Sequence, residues 1–169
     1  MTQIYDLPGH LIRRLHQISV SAFSAETSAA GFDLTPVQFA ALSTLADHPG
    51  IDQATLAGLI AYDRVTIGGV IARLETRGLV MRETSEADRR ARVLGLTERG
   101  EAVLRTALPA VRRTQEVILK DLSPEERETL LGLLRKMTDA SNELSRAPLR
   151  PVPERAQPER PDAERPGPG

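Results

Sequence analysis

QATLAGLIAYDRVTIGGVIARLETRGLVMRETSEADRRARVLGLTER, residues 53–99, reads as helix, turn, helix, strand, arginine-tipped loop and strand. The first helical pattern places Leu56, Leu59 and Ile60 on one side. The second places Ile67, Val70, Ile71 and Leu74 at i, i+3, i+4 and i+7, an apolar stripe that has to pack inward. Tyr62 and Asp63, with at most a neighbour on each side, separate the two patterns, the turn length of a helix-turn-helix. Opposite the stripe lie Arg64, Thr66, Gly69 and Arg73. That side is polar, small and basic, as a surface entering a DNA major groove needs to be.

Arg77-Gly78 ends the second helix, because glycine takes the left-handed conformation that closes a helix. Leu79-Val80-Met81-Arg82, a polar loop from Glu83 to Arg90, and Val93-Leu94-Gly95-Leu96 then predict a β-hairpin with Arg89, Arg90 and Arg92 at or beside its tip. An amphipathic helix packed on ordinary neighbours would show the same apolar stripe. The short turn, the hairpin and the arginines favour the DNA-reading arrangement instead.

This order of elements resembles the multiple-antibiotic-resistance (MarR) family of bacterial transcriptional regulators. The resemblance rests on Asp88-Arg89-Arg90 in the loop, on Leu96-Thr97-x-x-Gly100, and on Arg73-Leu74-Glu75-x-x-Gly78-Leu79-Val80, and it covers about residues 8–146. It implies a mainly α fold with a small β-hairpin wing: a winged helix-turn-helix flanked by N- and C-terminal helices that hold a triangular homodimer. It implies further that Arg89 or Arg90 enters the minor groove while Asp88 orients its neighbour, and an arginine suits a narrow, electronegative minor groove. Where many family members place a Thr and an Arg for reading, this chain has Gly68-Gly69. Each Gly costs about 1 kcal/mol against Ala in a helix interior. The pair is either a tolerated defect or a place where helix backbone comes close to DNA. Arg64, Thr66 and Arg73 remain as the reading side chains.

The 169 residues suffice for one ordinary domain with tails. Cysteine is absent, which excludes disulfides and thiolate metal sites and is compatible with a reducing cytoplasm. No membrane span or signal peptide is expected. Aromatics are 3% with no Trp, so the core is Leu, Val, Ile and Ala, which suits packed helices. The net charge of −1 does not announce a nucleic-acid binder, yet residues 53–99 carry eight basic and six acidic groups, against two and five in residues 1–52. Residues 100–146 balance at eight and eight, and 147–169 at four and four, so the one net-positive segment is the expected reader.

In chain order, Leu11, Leu15, Ile18 and Ala22, with Ile12 and Phe23 beside them, predict a first helix over 9–29 whose wide apolar face calls for a second chain. Thr35-Pro36 starts a second helix with Val37, Phe39, Ala40, Leu42 and Leu45 on its buried side. Ile51 is expected to bridge to the wing and Asp52 to cap the first reader helix. Thr97 opens a long helix carrying Val103, Leu104, Leu108, Val111 and Val117–Leu119, with a kink expected at Pro109. Ser123-Pro124-Glu125-Glu126 caps a last helix bearing Leu130, Leu131, Leu133, Leu134 and Met137. Residues 1–146 thus form one domain, with a reader at 53–99 and dimerisation helices at 9–29 and 98–146. Residues 147–169 hold seven of the twelve prolines and read as a disordered, solvated tail in preference to one that recruits a partner domain, so its removal is expected to leave folding, dimerisation and operator affinity nearly unchanged.

The family resemblance also implies a crevice, between the dimer helices and the reader lobe, that takes a small aromatic carboxylate or phenol. A carboxylate there needs an Arg, or a His that charges near neutral pH. The opening YDLPGHLIRRLHQI, residues 5–18, is similar to regulators of nicotinic acid degradation within the family. His16, one turn after Ile12, borders the apolar face and is the first candidate. Arg14 follows, then His10, Tyr5 and His48. Against these stands the plain reading of His10, Arg13, Arg14 and His16 as a solvated helix face.

No HExxH, phosphate loop or nucleophile–base–acid set is present, and three histidines without cysteine make no convincing zinc site, so neither an enzyme nor a cofactor is expected. The expected function is a cytoplasmic, ligand-responsive regulator, a repressor acting as a homodimer on a pseudo-palindromic operator in double-stranded DNA. The alternative is a dimeric scaffold whose winged helix binds protein.

Overall fold

The computed structural model describes residues 4–84 and 91–151. A 3-10 turn at Ile4–Asp6 leads into α1 (Pro8–Ala29), α2 (Pro36–Asp47), α3 (Gln53–Leu59), α4 (Arg64–Thr76), β1 (Val80–Thr84), β2 (Arg92–Leu96), α5 (Glu98–Leu119) and α6 (Pro124–Ala140). The fold is mainly α with one antiparallel hairpin, as the residue pattern predicts.

Most helices begin where a side chain can take an otherwise unpaired backbone N–H. Thr35 and Gln38 form a reciprocal capping box at α2, and Ser123 with Glu126 does the same at α6. Asp52 accepts from the Thr55 N–H at 2.7 Å and Asp63 from the Thr66 N–H at 2.8 Å. Pro8 sits in the first turn of α1, where its missing donor is not needed. Pro109 lies inside α5, and the helix continues through it to Leu119.

The core gathers under the reader. Leu42 and Leu45 from α2, Leu56 from α3, Ile67, Ile71 and Leu74 from α4, and Leu79 and Leu94 from the hairpin region are all buried. The hairpin pairs Val80 with Leu96 and Thr84 with Arg92. Ile51 adds the single expected bridge, to Leu94. On α2 the buried set is Gln38, Ala41, Leu42 and Leu45, whereas Val37 and Phe39 pack only partly. Gln38 goes inside because its amide is already used by the capping box.

The most buried positions where α1 and α5 pack are Phe23 and several small residues, with Val103, Leu104 and Val111 only partly buried. Phe23 and Thr27 are buried on α1, and Ala107, Ala110 and Thr114 on α5. Both threonine hydroxyls donate to carbonyls of their own helices, Thr27 to Phe23 at 2.8 Å and Thr114 to Ala110 at 3.1 Å. Small side chains let the two helices approach closely, and the Arg113–Glu26 ion pair at 3.1 Å spans the seam. Other large apolar residues point elsewhere: Leu11, Ile12, Leu15 and Ile18 on α1 and Leu131, Leu133 and Met137 on α6 are exposed in the single chain. α6 buries no residue at all.

Residues 147–151, the described part of the proline-rich segment, are held at two points. Asn142 exchanges hydrogen bonds with Leu149, Leu149 N–H to Asn142 Oδ1 at 2.8 Å and Asn142 Nδ2 to the Leu149 carbonyl at 3.1 Å. The Arg150 N–H donates to the Gly58 carbonyl at 2.8 Å. The rest of that segment, 152–169, lies outside the described residues.

The junction between hairpin and α5 leaves no spare space. Thr97 donates its backbone N–H to the Leu79 carbonyl and its hydroxyl to the Gly78 carbonyl at 2.7 Å, while its oxygen caps the Gly100 N–H at 3.0 Å. A Cβ on Gly100 would collide with the Leu79 carbonyl, whose carbon would lie only 3.0 Å away. Gly100→Ala is therefore expected to destabilise the fold by about 2 kcal/mol or more, seen as a lowered urea midpoint with an unchanged slope. An unshifted midpoint would show that the junction relaxes freely.

Candidate nucleic-acid interface

α3 and α4 meet at 111° across the turn Ile60–Asp63. The turn needs a left-handed residue, and Ala61 supplies it at φ 53°. Asp63 then turns the chain into α4: its carboxylate accepts from the Thr66 N–H and also from the Thr66 hydroxyl at 2.5 Å. These bonds, the hydroxyl first, hold the Asp63 carboxyl below its ordinary value. A lowered carboxylate stabilises the fold above its unfolded value and loses that contribution only as pH falls through the folded one, so this cap is intact at neutral pH.

The two sides of α4 divide sharply. Ile67, Val70, Ile71 and Leu74 are no more than 1% exposed. Arg64, Thr66, Gly69 and Arg73 are exposed on the other side, where the amino-acid pattern puts them. Val65, which the pattern reading passes over, is 87% exposed. An apolar residue standing free at the start of such a helix suits contact with a thymine methyl group. A signal for it exists in the sequence: Val65 falls outside the stripe that buries the other valine and the two isoleucines of the helix.

The two glycines separate. Gly69 is open, and the nearest group to an added Cβ would be the Arg73 guanidinium at 3.9 Å. Gly68 is half-buried, and its Cβ would meet the Gln53 amide at 3.3 Å. Gly68 thus faces α3, which gives it a packing reason that does not involve DNA. Gln53 is itself tied down, accepting from Arg82 Nη2 at 3.1 Å while Arg82 Nε binds the Glu75 carboxylate at 3.0 Å. This chain of side chains joins α3, α4 and β1, and local pattern does not show it. Asp88, Arg89 and Arg90 lie outside the described residues.

Of the expected ligand residues, only Tyr5 and His10 are brought together, ring edge to face with centroids 5.8 Å apart. Arg14 and His16 are both exposed on α1, but two residues apart on a helix puts them about 200° apart around its axis. Arg14 shares the side of His10, and His16 that of Ile12. His48 closes α2, its N–H donating to the Thr44 carbonyl, and no contact joins it to the others among the described residues.

A helix-turn-helix followed by a two-stranded wing and backed by long helices is a winged helix-turn-helix, a DNA-binding fold of transcriptional regulators. The chain belongs to the MarR family of transcriptional regulators. Residues 34–91 match the model of the MarR family. The chain is 38% identical over 131 residues to the transcriptional regulator HosA of Escherichia coli, covering 78% of this chain and 94% of HosA. It is 38% identical over 132 residues to the transcriptional repressor NicR of Pseudomonas putida, covering 78% and 82%. Among solved structures, Bordetella bronchiseptica BpsR, whose DNA binding is regulated by 6-hydroxynicotinic acid, superposes with a TM-score of 0.77 at 32% identity, over 82% of this chain and 98% of that one.

Substituting the two glycines separates their roles. Gly69→Ala adds a methyl group in open space and is expected to stabilise the protein by about 1 kcal/mol. Gly68→Ala must displace the Gln53 amide and should gain clearly less. Thermal melts of both variants decide it, and equal gains would remove the packing role assigned to Gly68.

Proposed function

We propose that this chain is a repressor that binds a pseudo-palindromic operator as a homodimer and is released by a small aromatic carboxylate. The supporting observation is α4, clamped into the core along one side while Arg64, Val65, Thr66, Gly69 and Arg73 stand free on the other. Two such helices, one from each protomer, would enter successive major grooves about one helical turn apart. Arg64 and Arg73 would neutralise phosphate or pair with guanine. Thr66 commits its hydroxyl hydrogen to Asp63 and so reads as an acceptor or through its methyl group. Open space at Gly69 admits a close approach of backbone to DNA, and Arg89 or Arg90 would reach the minor groove.

The exposed apolar residues of α1 and α6 supply the dimer surface. Leu15→Asp would bury a charge there and should convert the protein to monomer at low micromolar concentration, as judged by light scattering. A variant that stays dimeric would remove α1 from the centre of the base.

The effector assignment draws support from the likeness to BpsR and from the basic groups of α1. Because Arg14 and His16 lie on different sides of that helix, one carboxylate would pair with one of them, with His10 and Tyr5 beside Arg14. Action in the cytoplasm follows from the function proposed.

The test is a shift assay with duplexes from upstream of the chain's own gene. Binding should exceed that to random duplex and weaken steeply with salt, and a hydroxylated nicotinate or salicylate at millimolar concentration should release it. Binding no better than to random DNA at moderate salt would favour a protein-binding winged helix. One of Arg14→Ala and His16→Ala should blunt the release. If both respond like the parent, the effector site lies elsewhere.

A further inference from the structure

The segment after α6 returns to the helix-turn-helix. Arg150 docks by its backbone on the Gly58 carbonyl at 2.8 Å, and the fit is close, since a Cβ at position 58 would come to 3.1 Å from the Arg150 Cβ. The Asn142–Leu149 hydrogen-bond pair closes the loop that leads there. Between this segment and the turn lies a cleft of about 380 Å³, lined among others by Tyr62, Asp63, Arg64, Arg146, Pro148 and Arg150. A second cleft on the same seam adds Asp52 and Thr55 beside Arg64 and Arg150.

Three arginines thus line one cleft, Arg64 at the first position of α4 with Arg146 and Arg150, and none of them forms an ion pair among the described residues. Two carboxylates line the same seam and offset part of this charge, but neither forms an ion pair with an arginine among the described residues. Asp52 is engaged with the Thr55 N–H and Asp63 with both donors of Thr66. Gathered guanidinium groups repel one another, and an anion between them offsets that repulsion with charge-assisted hydrogen bonds. The exposed face of α4 starts at this same point, with Arg64, so an anion bound here lies next to the surface proposed to enter the major groove.

We propose that the docked segment is part of the DNA-binding surface, with Arg146 and Arg150 joining Arg64 on a backbone phosphate that flanks the groove read by α4. This rests on the DNA-binding reading above. The composition of residues 147–169 suggests a tail without a role, whereas the docking divides it: residues up to Pro151 contribute to affinity and the remainder does not.

The test measures duplex binding by fluorescence anisotropy across a salt series, on the full chain, on Arg146→Gln/Arg150→Gln, and on chains ending at Pro151 and at Ser145. Melting curves establish that each is folded. The double variant should lose roughly tenfold or more in affinity at low salt. Its plot of log affinity against log salt should be shallower by up to about 0.9 for each phosphate no longer neutralised, or about two at most for one phosphate in each of two protomers. Upstream and scrambled duplexes should weaken by the same factor, because arginines on phosphate carry no sequence information. The chain ending at Pro151 should match the full chain, and the chain ending at Ser145 should be weakened. A double variant with the parental slope overturns the proposal while leaving the DNA reading intact, as does a weakening confined to the upstream duplex. A parent chain that binds no duplex in a salt-dependent way overturns both.

Discussion

The presentation of α4 depends on how the start of the hairpin meets the start of α5, on the far side of the core from the turn. At that place Gly78 takes φ +67°, Leu79 turns back onto Leu74, and Thr97 satisfies two carbonyls and one helix N–H at once. Gly100 lets the first turn of α5 press against the Leu79 peptide. Each group at the junction is both donor to and constraint on another, so strand, helix end and helix start move together or not at all. Because α5 then runs along α1 through a seam that includes small side chains, the orientation of the reader is transmitted to the whole helical base. A larger residue at position 100 would separate the two halves where their backbones meet.

What can be read from the chain is what lies within a few residues of itself. Thr35, Asp52, Thr97 and Ser123 each announce a helix start because the capped N–H is three positions on, and each does cap. The stripe from Ile67 to Leu74 is likewise local, and all four members are buried. Of the large apolar residues that sequence pattern marks on α5, Val103, Leu104 and Val111 pack partly against the core while Leu108 and Val117 stay exposed, and the buried positions include the small residues Ala107, Ala110 and Thr114. Gly68 reads as a partner of Gly69 because they are adjacent, but one faces Gln53 and the other faces open space. Val65 escapes the pattern because an apolar residue is expected inside. Composition likewise treats the proline-rich segment as one unit, although Leu149 and Arg150 find partners on Asn142 and Gly58 that no local rule connects to them. Long-range packing decides each of these cases.

The chemistry of the exposed face sets the manner of recognition proposed for it. A helix that offers two arginines, a half-engaged threonine, a valine and a glycine has few groups able to make paired hydrogen bonds with a base edge. Much of its affinity must then come from phosphate, and much of its selectivity from the spacing of two half-sites and the shape of the groove between them. Spacing becomes the quantity to control, and a small ligand that alters it has leverage over binding without touching DNA.

Control of spacing requires that base and reader be linked in a small number of places. Within one chain α6 buries nothing, and its return to the reader passes through the Asn142–Leu149 clasp and the Arg150–Gly58 hydrogen bond. Another link runs through α5, which packs on α2 and β2, starts from the Thr97–Gly100 junction and is joined to α1 by the seam with its Arg113–Glu26 ion pair. A ligand lodged beside α1 would act on the second of these links directly, and it can shift the reader only by as much as its affinity differs between the two arrangements. An exposed ion pair contributes little energy, so the seam itself resists such a shift mainly by packing. Packed small side chains leave no room for gradual deformation, which favours two discrete positions of the reader over a continuous range. In a dimer built on α1 and α6 each position is counted twice, and a modest change at either seam becomes a doubled change in the distance between the two copies of α4.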